Sequence, residues 1–153
     1  MSVPVSGSFS LTVDTTTVVN LAATGLTAAG TTTPIVVMDT RNNYPGWSVS
    51  GQDSAWTGTG TAAGGTFSGD QLGWTPTGTA LPAGVNLGPT VQPKPAGIGL
   101  GTTPGLLASA HAGLGSGYGT SNLGATLALN IPATAPAGPY TSGLTVSAVT
   151  TNP

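Results

Sequence analysis

Residues 34–51 read Pro34-Ile35-Val36-Val37-Met38-Asp39-Thr40-Arg41-Asn42-Asn43-Tyr44-Pro45-Gly46-Trp47-Ser48-Val49-Ser50-Gly51, and their alternation decides the fold class. With side chains pointing to opposite sides in turn, Ile35, Val37, Asp39 and Arg41 fall on one face of a strand. Val36, Met38 and Thr40 fall on the other. Beyond the Asn-Asn-Tyr-Pro-Gly run, Trp47 and Val49 share a face and Ser48 and Ser50 oppose it. The spacing predicts a β-hairpin with a connection of about five residues, built from good turn formers. Asp39 and Arg41, two apart on one face, are read as a salt bridge pinning the base of that hairpin.

The last third carries the same signal. Leu123, Ala125, Leu127, Leu129 and Ile131 point one way, and Gly124, Thr126, Ala128 and Asn130 the other. Residues 132–139, rich in Pro and Gly, make a corner, after which Tyr140, Ser142, Leu144, Val146 and Ala148 alternate with Thr141, Gly143, Thr145 and Ser147. Two such strands form either an antiparallel pair or a crossover between stacked sheets.

Elsewhere, residues 8–13 alternate with Phe9, Leu11 and Val13 inward, and residues 17–21 form a second opening strand. Residues 25–33 read as a loop, and Leu72-Gly73-Trp74-Thr75-Pro76 as a strand ended by its proline. Proline and glycine recur too often in residues 77–104 for a helix, so this is a long irregular excursion laid over the sheets. Residues 106–111 fit a short strand or a helical turn, and their length favours the strand. The expectation is one domain spanning residues 1–153, an antiparallel β-sandwich of about seven to nine short strands with long Gly/Pro-rich loops. Residues 1–7 read as an extended N-terminal arm.

Composition removes whole classes of function. Charged residues are 4% of the chain, against about 25% in an ordinary soluble domain. The six are Asp14, Asp39, Arg41, Asp53, Asp70 and Lys94. Two basic residues cannot neutralise a run of phosphates or anchor a chain to an anionic bilayer, so neither nucleic acid nor membrane insertion is expected. There is no cysteine, which removes thiol catalysis and cysteine-ligated metals. No uninterrupted apolar run of about 18 residues occurs. The opening Met1-Ser2-Val3-Pro4 lacks the basic start and apolar core of an export signal. A surface of Thr, Ser, Asn and Gly repels its neighbours weakly, which suits a protein packed against copies of itself or a dense matrix.

Chemistry is scarce. The single histidine, His111, sits in an apolar run, and a Ser109–His111 pair with an aspartate is the one conceivable nucleophile arrangement. Asp53 and Asp70 flank a Gly-rich segment and are read as Asx-turn formers. No loop offers the roughly six oxygen ligands calcium takes. No catalytic residue, metal or cofactor is expected. Trp47, Trp56, Trp74, Tyr44 and Tyr140 are the candidate ligand-binding residues, as a stacking platform for sugars. The competing reading makes Trp47 and Trp74 core anchors between sheets. Trp56, between Ala55 and Thr57, is expected to be the exposed tryptophan.

The order Val-Met-Asp-Thr-Arg (37–41), Gly-Trp-Ser-Val-Ser-Gly-Gln (46–52), Leu-Gly-Trp-Thr-Pro (72–76) and Leu-Ala-Leu-Asn-Ile-Pro (127–132), followed by Gly138, Tyr140 and Leu144-Thr145, resembles the WxL-type cell-surface domains of Gram-positive bacteria, in particular their actinobacterial branch. Both Trp-x-Leu motifs are degenerate here. The first reads Trp47-Ser48-Val49, and the second lacks its tryptophan, reading Val146-Ser147-Ala148. The resemblance implies a secreted β-sandwich held non-covalently at the cell wall within a surface assembly. Composition, strand pattern and resemblance together leave three expectations. The first is a non-enzymatic structural protein of a fibre, layer or coat, pairing with copies of itself or other surface proteins through sheet edges such as residues 2–13. The alternative is a module binding wall polysaccharide or peptidoglycan through exposed aromatics. The further alternative is a phage tail or coat subunit.

Overall fold

The alternation of Leu123, Ala125, Leu127 and Leu129 becomes the spine of the first sheet. In the computed structural model, which describes residues 4–150, these four side chains are buried on one face of a twelve-residue strand. In chain order the strands are β1 (Phe9–Val13), β2 (Ala22–Thr24), β3 (Thr27–Thr31), β4 (Ile35–Asp39), β5 (Trp47–Asp53), β6 (Trp56–Gly58), β7 (Thr66–Phe67), β8 (Leu72–Thr79), β9 (Val85–Leu87), β10 (Gly105–Ala110), β11 (Gly119–Asn130), β12 (Tyr140–Thr141) and β13 (Leu144–Thr150). Among the described residues the only helical geometry is two single turns, Gly60–Ala62 and Gly69–Gln71. The fold is an all-β, sandwich-like stack of antiparallel sheets.

β11 is the central strand of the first sheet. β8 pairs with it along residues 122–129. On its other side β4 pairs with residues 119–123 and β3 with residues 126–130, so β3 and β4 form one long strand broken at residues 32–34. Thr32 spans the break: its N–H donates to the Ala125 carbonyl and its Oγ1 accepts from the Ala125 N–H, each at 3.0 Å. β1 and β2 continue outward from β4 and β3. The second sheet runs β13-β5-β10-β9, and a small third sheet, β12-β6-β7, sits beside it.

The expected hairpin at residues 35–51 is a crossover instead. β4 pairs only with strands of the first sheet and β5 only with strands of the second. Period two says which side of a strand is buried and leaves open whether its successor is a neighbour or a facing strand. The corner chemistry decides. The Asp39 carboxylate accepts from the Arg41 backbone N–H at 3.0 Å, from Nε at 2.8 Å and from Nη2 at 2.6 Å, which curls the chain as it leaves β4. Tyr44 at φ 44° and Gly46 at φ 81° then turn it across. Gly46 tolerates no side chain, since a β-carbon there would lie 2.7 Å from the Ala110 carbonyl oxygen. The salt bridge therefore braces a passage between sheets.

Two other expectations shift, and a third is narrowed to one of its two forms. Residues 17–21 form no strand, while residues 22–31 make the two-residue hairpin of β2 and β3 around Gly25 at φ 63°. Alanine, glycine and threonine carry little periodicity there, and the backbone ladder to β11 holds them. β8 passes through Pro76, which sits opposite Ala125 in the last strand on that side of the sheet. The corner at residues 132–139 is a crossover, from β11 in the first sheet towards β13 in the second. Residues 4–6 lie along Asn42, whose amide Nδ2 donates to the Pro4 carbonyl and whose Oδ1 accepts from the Ser6 N–H. Residues 1–3 of the expected arm, of which residues 2 and 3 also open the expected pairing segment, fall outside the described residues.

The irregular excursion expected at residues 77–104 is interrupted: residues 77–79 complete β8, residues 85–87 form β9 beside β10, and the remainder closes one flank of the sandwich. Trp74 and Val91 exchange both backbone hydrogen bonds at 2.9 Å. The Leu100 N–H donates to the Leu72 carbonyl on β8, and the Leu100 carbonyl accepts from the Asp53 N–H on β5, so one buried leucine ties both sheets together. Around it Trp74, Leu107, Val49, Val37 and Ile35 form the core between the layers.

Candidate functional site

The opposite flank is only partly closed: β1 comes close to β13 there without pairing with it. β1 and β2 end the first sheet there and β13 ends the second, and among the described residues no strand pairs with their outer edges. Between these edges a cleft of about 740 Å³ enters the sandwich. Residues 13–21 form one lip and β12 and β13 the other. Apolar side chains line it, Leu127 and Leu129 from the first sheet, Leu144 and Val146 from the second, Trp56 and Phe67 from the third, together with Asp14, Asn20, Asp53, Ser142 and several threonines. The side chains of β13 that face it are only half-buried. The volume lies in the range of small-ligand or peptide-side-chain pockets.

Asp53, in the lining of this cleft, is the unexpected residue. It ends β5 in phase with Trp47, Val49 and Gly51, and all four are buried. Oδ1 accepts from the Ser142 hydroxyl at 2.8 Å, while Oδ2 has no hydrogen-bond partner. Burial pushes its pKa up to about 6 against the lowering pull of Ser142, the Trp56 indole and the Ser54 backbone. The Trp56 indole N–H lies near this carboxyl without making a hydrogen bond of good geometry, and it too is buried and unpaired. The inward phase of residues 47, 49, 51 and 53 is the sequence signal that reaches Asp53.

The candidate aromatics scatter. Trp47 is 2% exposed and Trp74 is 1%, both in the core. Trp56, expected to be exposed, is 9% exposed, because its ring stacks on Phe67 at 5.8 Å and 12°. Phe67 in turn meets Tyr140 at 4.9 Å, and the Tyr140 hydroxyl donates to the Pro136 carbonyl at 2.7 Å. These three rings are the hydrophobic side of the β12-β6-β7 sheet. Tyr44 stands apart at the crossover, edge-on to Tyr118 at 5.7 Å. Tyr118 is 48% exposed, and Leu114, four residues before it, is 92% exposed.

The remaining polar groups hold structure. Asp14 accepts from the backbone N–H groups of Thr16 and Thr17 and from both hydroxyls, which lower its pKa to about 2. This is the Asx-type turn expected at Asp53 and Asp70 instead. Asp70 accepts from Lys94 Nζ at 3.0 Å, from the Thr102 N–H at 2.6 Å and from its hydroxyl at 2.9 Å, and its pKa falls to about 2. Neither the Asp53 nor the Asp70 side chain makes an Asx-type turn; each carboxylate joins segments far apart in sequence. Arg41 bonding lowers the pKa of Asp39 despite its burial. His111 is exposed and lies 3.4 Å from the Ser116 hydroxyl, with no hydrogen bond to Ser109 or to an aspartate. Among the described residues no group of three or more His, Cys, Asp or Glu side chains is placed to hold a metal. No helix of the described residues is long and apolar enough to cross a membrane.

Comparison with known proteins returned no match: no family model, no curated protein and no solved structure is similar to this chain.

Proposed function

We propose that this chain is a non-enzymatic structural subunit of an outer surface, assembling with copies of itself or with other surface proteins. One observation carries the reading. The excursion of residues 77–104 covers one flank of the sandwich, while the other ends in unpaired strands over a cleft. Uncovered edges without charges or mid-strand proline invite strand pairing. The near-absence of charge supports it, since little electrostatic repulsion keeps neighbouring copies apart. The resemblance to WxL-type domains adds the extracellular setting. Sedimentation velocity over a wide concentration range, with negative-stain microscopy of the same samples, is the test. Oligomers or ordered assemblies are expected; a monomer at every concentration sinks the proposal.

A second reading, binding of wall glycan, draws support from the Tyr44–Tyr118 pair, whose outer ring is half-exposed beside neutral hydrogen-bonding residues. Its test is co-sedimentation with purified cell walls. Loss of the protein to the pellet is expected on this reading, and recovery in the supernatant ends it.

A further inference from the structure

We infer that β13 pairs with β13 of a second copy, antiparallel, about a two-fold axis passing beside Ser147. The inference rests on the assembly reading above and names its contact.

β13 has seven residues, Leu144-Thr145-Val146-Ser147-Ala148-Val149-Thr150, laddered to β5 on one side and unpaired on the other among the described residues. It carries none of the usual protections of an edge: no charge, no proline, and an unbroken register with β5 from Leu144 to Thr150. The register is also self-complementary. Centred on Ser147, antiparallel pairing sets Val146 of each copy opposite Ala148 of the other, Thr145 opposite Val149, and Leu144 opposite Thr150. All seven residues overlap. Val149, 62% exposed in the single chain, gains a neighbour.

A two-fold axis perpendicular to the sheet keeps each face on its own side. Leu144, Val146 and Ala148, half-buried over the cleft, therefore meet the same face of the second copy, and the two clefts become one interior. Isologous contact of this kind closes on itself as a dimer. The other free edges fit less well. β2 is three residues long, and β1 runs directly into the Asp14 turn. β1 also offers only five residues against the seven of β13, and β13 has no ionisable side chain.

Because the chain has no cysteine, single replacements report the contact directly. Ser147→Cys should oxidise to a disulfide-linked dimer, since residues directly opposite in an antiparallel pair have Cα atoms about 4.5–5.5 Å apart, within disulfide reach. Thr145→Cys should not, because its two copies would stand about 13 Å apart in this register. Thr12→Cys on β1 is the competing contact. Ser147→Lys, on an exposed position, should weaken dimerisation at least tenfold with an unchanged circular dichroism spectrum. If the protein associates but cross-links through Thr12→Cys and not Ser147→Cys, or if Ser147→Lys associates as the parent does, the β13 contact is wrong and the assembly reading stands. A monomer at all concentrations removes both.

Discussion

The six-membered ring of Trp74 lies on the backbone of Gly51: a β-carbon at Gly51 would come within 2.5 Å of the ring carbon Cη2. The first residue belongs to β8 of the first sheet and the second to β5 of the facing sheet, so this contact sets how closely the layers approach. Trp74 is 1% exposed and cannot move aside without displacing the core around it. Gly51→Ala should therefore destabilise the fold by about 1–3 kcal/mol through overpacking. Urea denaturation checks this. A substitution that leaves the midpoint unchanged would mean the layers slide freely.

That contact also shows how far the sequence could be read. Alternation at residues 47–51 and 72–76 marked both tryptophans as candidate core anchors, since side-chain phase is a local property. Which strand faces which is not local. The turn at residues 42–46 reads as a hairpin loop by composition, and only the Asp39–Arg41 bonds with two positive-φ residues make it a crossover. The strands at residues 22–31 were illegible for another reason: with Ala28 as their one buried side chain, they are held by backbone ladders rather than by an apolar stripe. Of the cleft, no single residue gives warning, because it is the gap left between three sheets.

Asp53 gives the fold a stability that depends on pH. Its pKa is raised from 3.8 to about 6 on folding. The folded state therefore binds this proton more tightly than the unfolded chain, and the contribution is fully present below pH 3.8 and lost as pH rises through about 6. The loss across that window amounts to about 3 kcal/mol. Asp39 and Asp70 act in the opposite sense, their lowered pKa values removing stability as pH falls below the ordinary carboxylate range. Denaturation midpoints measured from pH 3 to 8 should thus fall at both ends. In Asp53→Asn the decline towards neutral pH should disappear while the acid limb remains.

Asp70 is the hub that fastens the excursion of residues 77–104. Its carboxylate holds both donors of Thr102 and the Lys94 ammonium, and its carbonyl accepts from the Lys94 N–H. Asp70→Ala leaves the Thr102 amide without its carboxylate partner and should cost about 2–4 kcal/mol. Lys94→Ala should cost less than about 1 kcal/mol, because the lysine side chain is half-exposed and water replaces its pairing. Amide hydrogen exchange separates the two variants. In Asp70→Ala the amides of Leu100 and Thr102 should exchange faster, and in Lys94→Ala they should stay protected.

Trp56 and Tyr118 distinguish a structural aromatic from a surface one. Trp56 is stacked on Phe67 inside the cleft wall, so Trp56→Ala should cost about 3–5 kcal/mol and widen the cavity. Any loss of wall binding in that variant would follow from the damaged fold and say nothing about glycan. Tyr118→Ala removes a half-exposed ring and should leave the melting temperature within about 2 °C of the parent, as surface changes do. If the protein sediments with purified walls and Tyr118→Ala does not, the Tyr44–Tyr118 pair is a sugar platform and the glycan reading gains its first direct support. If both variants sediment as the parent does, the rings are not the contact. Retention at the wall would then trace to the partly closed flank, where Ser147→Lys should reduce it.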